Sequence, residues 1–253
     1  MMQAPLSEAL AAARRHRALL RASEWSAALH DPACAYIVQE EVARELGWFD
    51  DGPPRYWKSG GPSRDAVLTH APLPPEGVRG DGASFVDLRL HAPAIEAEVA
   101  LRLREDVDAE RAAALRDDEA DALVDAMMVS IEVVDSRWLE GFDAPAPLRL
   151  ADLQSHGALC LGHAVPYARR DWSRQRCVVT LGAGAPVERI GTHSLGDPAA
   201  VLPQWLRHAT REGDVVPAGA VVTTGTWCGV LPARAGDAVR VAFEGIGEAS
   251  LRL

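Results

Sequence analysis

Two acidic residues, Glu96 and Glu98, are separated by one alanine within the mostly apolar segment 95–101. In a β-strand the side chains alternate between two faces, so these two carboxylates would share one face. Neighbouring carboxylates repel each other unless a cation lies between them or one of them holds a proton. Because carboxylate oxygens suit hard divalent cations, the pair is a candidate site for Mg²⁺, Mn²⁺ or Ca²⁺. A solvated strand face is the alternative.

Lysine occurs once in the chain, at Lys58, whereas the other 25 of the 26 basic residues are arginine. A general preference for arginine would explain the arginines but not the one lysine that remains. A desolvated lysine can lose its proton and an arginine cannot, so Lys58 is a candidate for proton transfer. A surface lysine without function is the alternative.

The composition is that of a soluble globular protein, with 253 residues of which 48% are hydrophobic and 25% charged. A net charge of −10 argues against nucleic acid and anionic membrane surfaces as partners. The four cysteines form no Cys-x-x-Cys pair and are expected to be reduced. No run approaches the roughly 18 apolar residues of a membrane-spanning helix, and the N-terminus lacks the apolar region of a signal peptide. We therefore expect a cytoplasmic protein.

The helical period predicts an N-terminal helical extension, residues 1–50, in front of one β-rich domain, residues 51–253. Its helices would cover residues 6–20 and 32–46, the second capped by Asp31 and ended by Gly47. A further helix is predicted over residues 198–211. Strands are predicted over residues 66–70, 84–90, 95–103, 157–161, 177–181, 220–224, 238–243 and 249–253.

The clearest helical pattern covers residues 108–130, and a β-branched strand, residues 131–137, follows it. Together with the strand that carries Glu96 and Glu98, this arrangement predicts a right-handed strand–helix–strand crossover. Such a unit would bring a third acid, Glu132, next to the first two.

Several segments along the chain, from about residue 33 to the end, occur in the order found in one enzyme group. They are Tyr36-Ile37-Val38-Gln39, Trp57-Lys58, Glu96-Ala97-Glu98, residues 131–137, Ala151-Asp152 with Ser155, residues 191–198, Trp205-Leu206 and residues 221–226. In these segments the sequence resembles the fumarylacetoacetate hydrolase superfamily, in particular its 2-oxo-4-pentenoate hydratase and 4-oxalocrotonate decarboxylase branch. The resemblance implies an α+β, β-rich fold, a mixed β-sandwich roll, here with the N-terminal helical extension. It also implies a homo-oligomer, a dimer or larger.

The resemblance further implies a site that binds Mg²⁺ or Mn²⁺ through Glu96, Glu98 and Glu132. In the family the metal chelates the carboxylate and 2-oxo oxygens of a pyruvoyl-type substrate and stabilises the enolate. Lys58 would move protons on the dienol. The positions that would contact the substrate are Gln154, Ser155 and Thr224. A structural role in a turn is the alternative for Thr224.

The implied reaction is hydration or decarboxylation of a 2-oxo or 2-hydroxy dienoate from the degradation of aromatic compounds. The acid that activates water in the hydratases is missing about twenty residues after the lysine, where His70 or Glu76 could replace it. A C–C bond hydrolase of the fumarylacetoacetate or fumarylpyruvate type is an alternative. The turn at residues 223–226 favours it, and the lack of a second lysine opposes it. A non-catalytic protein with a structural metal site is the third hypothesis.

Overall fold

The computed structural model describes residues 5–29 and 31–253. In these ranges five α-helices are present: α1 (Leu6–His16), α2 (Pro32–Leu46), α3 (Ala109–Ala114), α4 (Ala146–Ala151) and α5 (Leu202–Ala209). The first seven strands are β1 (Tyr56–Gly60), β2 (Thr69–Pro72), β3 (Val78–Gly80), β4 (Ala83–Ser84), β5 (Ala94–Leu103), β6 (Val124–Val134) and β7 (His156–Leu161). The others are β8 (Val165–Pro166), β9 (Arg176–Leu181), β10 (Val187–Ile190), β11 (Val221–Thr223), β12 (Leu231–Pro232), β13 (Ala238–Phe243) and β14 (Gly247–Arg252).

The strands form two mixed sheets. The larger sheet has the order β2-β1-β11-β5-β6-β7-β3, and β12 and β8 pair with β5 and β6. The smaller sheet has the order β10-β9-β13-β14-β4. Most pairs are antiparallel, but β1–β11, β3–β7 and β14–β4 are parallel. Because β6 packs against β13 and β14, the two sheets lie face to face, which confirms the predicted α+β, β-rich fold.

One face of β5 fills the core between the two sheets. Its residues are Ile95, Ala97, Val99, Leu101 and Leu103, each at most 1% exposed. They pack in one apolar cluster with Val241 and Phe243 of β13. This confirms the predicted buried face and leaves the opposite face of β5 for the two glutamates.

The second N-terminal helix begins and ends as predicted. The Asp31 side chain accepts a hydrogen bond from the Cys34 backbone N at 3.0 Å, and Pro32 occupies the first turn. Gly47 ends the helix with a φ of 67°, a conformation that glycine adopts without strain.

The first N-terminal helix ends earlier than the predicted Leu20. Arg17 adopts a left-handed conformation with a φ of 55°, and Leu20 then pairs with Trp138 in an isolated β-bridge. The apolar cluster under α1 and α2 includes Trp138 and residues of α4. The helical extension is thus packed against the segment 138–151. Its boundary at residue 50 stays a prediction.

The predicted helix over residues 108–130 is wrong. Helix α3 begins after Asp108, whose side chain accepts a hydrogen bond from the Arg111 backbone N at 2.8 Å, but it ends at Ala114. A 3₁₀ turn, Ala120–Leu123, leads directly into β6. Since β6 is buried on both faces, its residues 126–129 form an apolar run without the strand period. Such a run cannot be distinguished from a buried helix by periodicity.

The predicted crossover is wrong for the same reason, because β5 and β6 are antiparallel neighbours. Their register nevertheless places Glu132 directly opposite Glu96. The third acid therefore reaches the expected position by a different connection.

The predicted strand over residues 84–90 is also wrong beyond Ser84. The Phe85 backbone N still donates to the Arg252 O at 2.6 Å, but a turn follows, closed by a 2.9 Å hydrogen bond from the Leu88 N to the Phe85 O. Asp87 accepts two hydrogen bonds of 2.7 Å from the Arg79 guanidinium, which fixes the turn. The other predicted strands are present with shifted ends, and the helix over 198–211 consists of a 3₁₀ turn, Pro198–Val201, followed by α5.

Over residues 5–29 and 31–253, no helix has both the length and the apolar character needed to cross a membrane. Even α2 has 15 residues, whereas a span needs about 20.

Candidate active site

Three glutamates from two neighbouring strands form a compact group, which we call the carboxylate cluster. Glu96 and Glu98 lie on β5, and Glu132 lies on β6. Each contributes one carboxylate oxygen that lies within 4.8 Å of the other two. Glu98 and Glu132 are 2% and 0% exposed, and Glu96 is partly exposed. The predicted metal-ligating residues are therefore brought together.

The carboxylate cluster carries more negative charge than the protein around it balances. Burial and then the charges of Glu98 and Glu132 raise the pKa of Glu96 to about 8. Burial and the charge of Glu132 raise the pKa of Glu98 to about 7. Raised pKa values of this kind mean that the carboxylates are stabilised by a proton or by an additional cation.

Lys58, on β1, is the cationic partner of the cluster. Its Nζ lies 2.6 Å from the Glu132 Oε1 and donates to the Gln154 O at 3.5 Å. Burial alone would lower the pKa of Lys58, but the attraction of Glu132 and Glu96 outweighs it, so this pKa is raised. Lys58 therefore holds a proton that it can donate.

His156, at the start of β7, holds Glu132 from the other side. Its Nδ1 lies 3.0 Å from the same Glu132 Oε1, and the residue is 1% exposed. Burial lowers the pKa of His156 in spite of this carboxylate, so the ring is neutral. Because an ionised carboxylate only accepts, the Nδ1–H of the ring is the donor.

Glu98 is held by the end of β11. The Thr223 hydroxyl and the Gly225 backbone N, at 2.8 Å, both donate to the Glu98 Oε2. The Ser130 hydroxyl lies 2.9 Å from that of Thr223. These donors fix the orientation of the carboxylate on the floor of the site.

A strained turn lies beside Lys58. Leu153, Gln154 and Ser155 have φ values of 52°, 54° and 62°, a left-handed conformation that residues with a Cβ disfavour. The Gln154 amide donates to the Thr69 hydroxyl. Within the described ranges the buried Ser155 Oγ has no hydrogen-bond partner. Strain of this kind persists only where the surrounding structure enforces it, and it is concentrated at functional sites.

The residue before this turn, Asp152, anchors it through a group that we call the ion triad, Asp152 with Arg14 and Arg137. The Asp152 Oδ1 accepts hydrogen bonds from Arg14 at 2.8 Å and from Arg137 at 2.7 Å. The Arg137 backbone N donates to the Oδ2 at 3.0 Å, and its guanidinium also donates to the His156 O at 2.7 Å. Since Arg14 belongs to α1, the N-terminal helices help to position the site.

The cluster and the strained turn open on one cavity of about 730 Å³, which is large enough for a small organic acid. Its polar end is lined by Lys58, Glu96, Glu98, Thr223, Gln154 and Ser155. Apolar residues line other parts of its wall.

A family model described as "Fumarylacetoacetate (FAA) hydrolase C-terminal" matches residues 53–253, which is most of the chain. This chain is an enzyme of the fumarylacetoacetate hydrolase family.

This chain is similar to a named relative and to two enzymes with solved structures. It is 30% identical over 238 residues to 2-keto-4-pentenoate hydratase 1 of Dechloromonas aromatica (strain RCB), covering 88% of this chain and 86% of that protein. A structure of 4-oxalocrotonate decarboxylase from Pseudomonas putida G7, complexed with magnesium and adipate, has a TM-score of 0.81 at 22% identity, covering 98% and 95% of the two chains. Fumarylpyruvate hydrolase from Pseudomonas aeruginosa, in complex with Mn²⁺ and pyruvate, has a TM-score of 0.56 at 14% identity, covering 79% and 89%.

The carboxylate cluster of this fumarylacetoacetate hydrolase family enzyme fits a hard divalent cation. Its donors are all carboxylate oxygens, the ligands that Mg²⁺ and Mn²⁺ prefer. The Glu132 Oε2 is buried and has no hydrogen-bond partner among residues 5–29 and 31–253. A cation would satisfy this oxygen and supply the positive charge that the raised pKa values of Glu96 and Glu98 call for.

The two residues predicted to activate water lie outside the cavity. His70 lies opposite Ser59 in the β1–β2 pair, its Nδ1 2.9 Å from the Ser59 Oγ, and its ring packs 4.9 Å from that of His208. The His70 side chain thus contacts Ser59 and His208 and does not line the cavity. Glu76 is exposed in the 3₁₀ turn Pro75–Gly77. Neither residue is therefore brought next to the carboxylate cluster.

Thr224 belongs to the framework rather than to the cavity lining. Its hydroxyl donates to the Val99 O at 2.7 Å, and its O accepts a hydrogen bond from the His193 Nε2 at 2.8 Å. The neighbouring Thr223 contacts Glu98 instead. These contacts favour the structural alternative for Thr224, and the threonine that contacts the carboxylate cluster is one residue earlier.

Sequence reasoning assigned no specific role to His156, Thr223 or the ion triad. Thr223 is a polar residue that ends an apolar strand, and this signal could have found it. His156 and Arg14 carry no such local signal, because their partners are 24 and 138 residues away in the sequence.

Proposed function

We propose that this enzyme is a divalent-metal-dependent lyase, a hydratase or decarboxylase, that acts on a 2-oxo or 2-hydroxy dienoate from the breakdown of aromatic compounds. One observation carries the proposal: three glutamate carboxylates within 4.8 Å of one another, with the Lys58 Nζ 2.6 Å from one of them. The names of its relatives, a hydratase and a decarboxylase, support this reaction class. In the proposal Glu96, Glu98 and Glu132 hold Mg²⁺ or Mn²⁺.

A bound divalent cation would supply positive charge beside the substrate carboxylate and 2-oxo oxygens, where negative charge develops. The residues of the chain then handle the proton. The ammonium group of Lys58 donates a proton to the carbon skeleton, and Glu132 keeps the Nζ in position through its hydrogen bond. The Ser155 Oγ, which has no partner in the described part of the chain, is available to donate a hydrogen bond to the substrate.

Hydration requires a base that takes a proton from water, whereas decarboxylation does not, and the two reactions differ in this requirement. His70 and Glu76 do not line the cavity. Among the described lining residues, Lys58 is the amine that contacts the carboxylate cluster. In decarboxylation the electron pair of the broken C–C bond passes along the conjugated chain to the 2-oxo oxygen, and protonated Lys58 would stabilise the charge that develops there or donate a proton to it. Hydration would require Lys58 to act first as the base that takes a proton from water.

The hydrolase alternative is less well supported. Lys58 is the single lysine of the sequence, so the second lysine of the hydrolase branch has no counterpart. The turn at 223–226, which resembled that branch, holds Glu98 through Thr223 and Gly225.

The test is turnover of 2-hydroxypenta-2,4-dienoate, 4-oxalocrotonate and fumarylpyruvate with Mg²⁺, Mn²⁺ or EDTA, with the products identified by NMR. We expect metal-dependent conversion of one of the first two compounds, and loss of most of this activity in Lys58→Arg, which keeps the charge. Cleavage of fumarylpyruvate alone would show a hydrolase. Stabilisation by Mg²⁺ without turnover of any 2-oxo acid would show a non-catalytic metal protein.

The assembly of this chain into a homo-oligomer, and its location in the cytoplasm, stay predictions. Light scattering of the purified protein at micromolar concentration measures the assembly, and a monomeric mass would contradict the expectation.

A further inference from the structure

The cavity contains a second polar feature, Arg149 on α4. This arginine lines the same cavity as Lys58 and Glu98. Its Nε is shielded from solvent and has no hydrogen-bond partner among the described residues. Within those ranges no acidic side chain forms an ion pair with Arg149. The two arginines of the ion triad, Arg14 and Arg137, by contrast both bind Asp152.

The packing of α4 holds Arg149 in this place. Leu148 and Leu150 on either side of it are buried in the apolar cluster under α1 and α2. The Asp152 backbone N donates to the Arg149 O at 3.2 Å, which joins the helix to the ion triad. Arg149 is therefore carried by a helix that is held in place by its buried residues Leu148, Leu150 and Ala151.

The wall near this arginine offers no negative charge. The acidic residues that line the cavity in the described chain are Glu96 and Glu98, and both belong to the carboxylate cluster. Much of the remaining lining is apolar and includes Val134, Phe142 and Val230. The lining of the cavity thus combines carboxylates that fit a cation with an unpaired guanidinium.

An unpaired guanidinium selects for a particular kind of ligand. Its planar set of N–H donors matches a carboxylate, to which it can donate two parallel hydrogen bonds. An apolar substrate tail would instead displace water from the charge without replacing the lost hydrogen bonds, which is unfavourable. A tail that ends in a carboxylate is therefore the best match for this wall.

We propose that the substrate carries a second carboxylate and that Arg149 binds it, so that this enzyme selects 2-oxo dicarboxylic acids over 2-oxo monocarboxylic acids. The inference rests on the proposed function, in which the first carboxylate and the 2-oxo group lie at the carboxylate cluster. Arg149 is then a specificity-determining residue.

The experiment uses two unreactive saturated compounds of equal chain length, 2-oxohexanoate and 2-oxoadipate, which differ in the terminal carboxylate. Isothermal titration calorimetry of the full chain in saturating Mg²⁺ measures both Kd values. A charge-assisted hydrogen-bonded pair predicts that the wild type binds 2-oxoadipate about 10- to 100-fold more tightly. Arg149→Gln should abolish this preference and leave the Kd for 2-oxohexanoate unchanged.

Two further variants complete the design. Arg149→Lys keeps the charge without the planar donors and should retain part of the preference. Arg116→Gln removes one positive charge from the surface, where this side chain is 69% exposed, and should retain all of it. Thermal unfolding shows whether each variant is folded.

Equal affinity of the wild type for the two compounds would overturn the inference. A loss of affinity in Arg149→Gln that is equal for both compounds would also overturn the inference. These results differ from a failure of the proposed function, in which neither compound binds in the presence of Mg²⁺.

Discussion

The carboxylate cluster and the ion triad are both buried groups of charges, but within the described ranges only the ion triad has a hydrogen-bond partner for every carboxylate oxygen. Asp152 is fully buried, and both of its carboxylate oxygens accept hydrogen bonds from Arg137. Burial and the charge of Arg137 lower the pKa of Arg14 to about 10, and the charges of Asp152 and Asp135 oppose this shift, so the arginine stays charged. In the carboxylate cluster, by contrast, three acids share one lysine, and the buried Glu132 Oε2 has no partner within the described ranges.

This difference distinguishes a buried group of charges that stabilises the fold from one that forms the candidate active site. A buried charge is tolerated when it is paired and fully hydrogen-bonded, and removing one partner of such a pair is strongly destabilising. Ionisable groups whose pKa values are displaced by burial and by like charges are concentrated at functional sites. We infer that the ion triad holds the strained turn in place, whereas the carboxylate cluster is completed by a cation from solution.

The largest effect is expected for Glu98→Gln, which breaks the cluster. It should lower kcat/KM by about 10³-fold or more, about 4 kcal/mol, because it removes a charge that the reaction requires. Divalent-cation binding should also be lost, while the metal-free protein is not destabilised, because one of three mutually repelling charges is removed. Kinetics, calorimetry and thermal unfolding measure these effects. Glu76→Gln is the matched control on the exposed turn, and retained Mg²⁺ affinity in Glu98→Gln would contradict the assignment.

Asp152→Asn should have the opposite signature. It leaves Arg14 and Arg137 buried without a charged partner, so we expect the free energy of unfolding to fall by about 3–5 kcal/mol. Denaturant titration of the metal-free protein measures the change. The surface variant Asp118→Asn, in a pair with Arg116, should stay within about 0.5 kcal/mol of the wild type. If the free energy of unfolding falls as little in Asp152→Asn as in Asp118→Asn, the ion triad does not stabilise the fold.

Added Mg²⁺ should stabilise the wild type, because a ligand that binds the folded state alone shifts the unfolding equilibrium. At about 100 times its Kd the gain is about 2.7 kcal/mol. The same titration should leave Glu98→Gln unchanged. Stabilisation of both proteins by equal amounts would place the cation elsewhere.

Buried histidines without an acidic partner provide a third case for the comparison. Burial lowers the pKa of His70 to about 3 and that of His193 to about 4. Between pH 6.5 and 4 each of these two histidines binds more protons in the unfolded chain than in the folded chain, so each contributes a loss of stability as the pH falls. The expected slope is at most about 1.4 kcal/mol per pH unit for each histidine.

Denaturant titrations between pH 8 and pH 5 measure this slope. His70→Gln should flatten the profile, whereas His163→Gln, at a side chain that is 93% exposed, should not change it. An unchanged slope in His70→Gln would show that this ring is not the source of the acid sensitivity.

Local patterns predicted the parts of the fold that depend on near neighbours. The period of two along β5 predicted both the buried face and the shared face of Glu96 and Glu98, and the cap and end of α2 followed from Asp31 and Gly47. The pattern failed for β6, because a strand covered on both faces has no period to detect. It also failed for His70, whose face depends on its pairing with Ser59.

The sequence by itself determined the family, the residue types of the candidate site and the face of β5 on which two of its acids lie. Only the tertiary structure decided that Glu132 pairs with Glu96, that His156 and Thr223 orient the carboxylates, and that Arg14 reaches Asp152 from the first helix. The physical reason is range. The pleat of a strand is set by adjacent residues, whereas a hydrogen bond between side chains far apart in the chain exists only after the sheets and helices have packed.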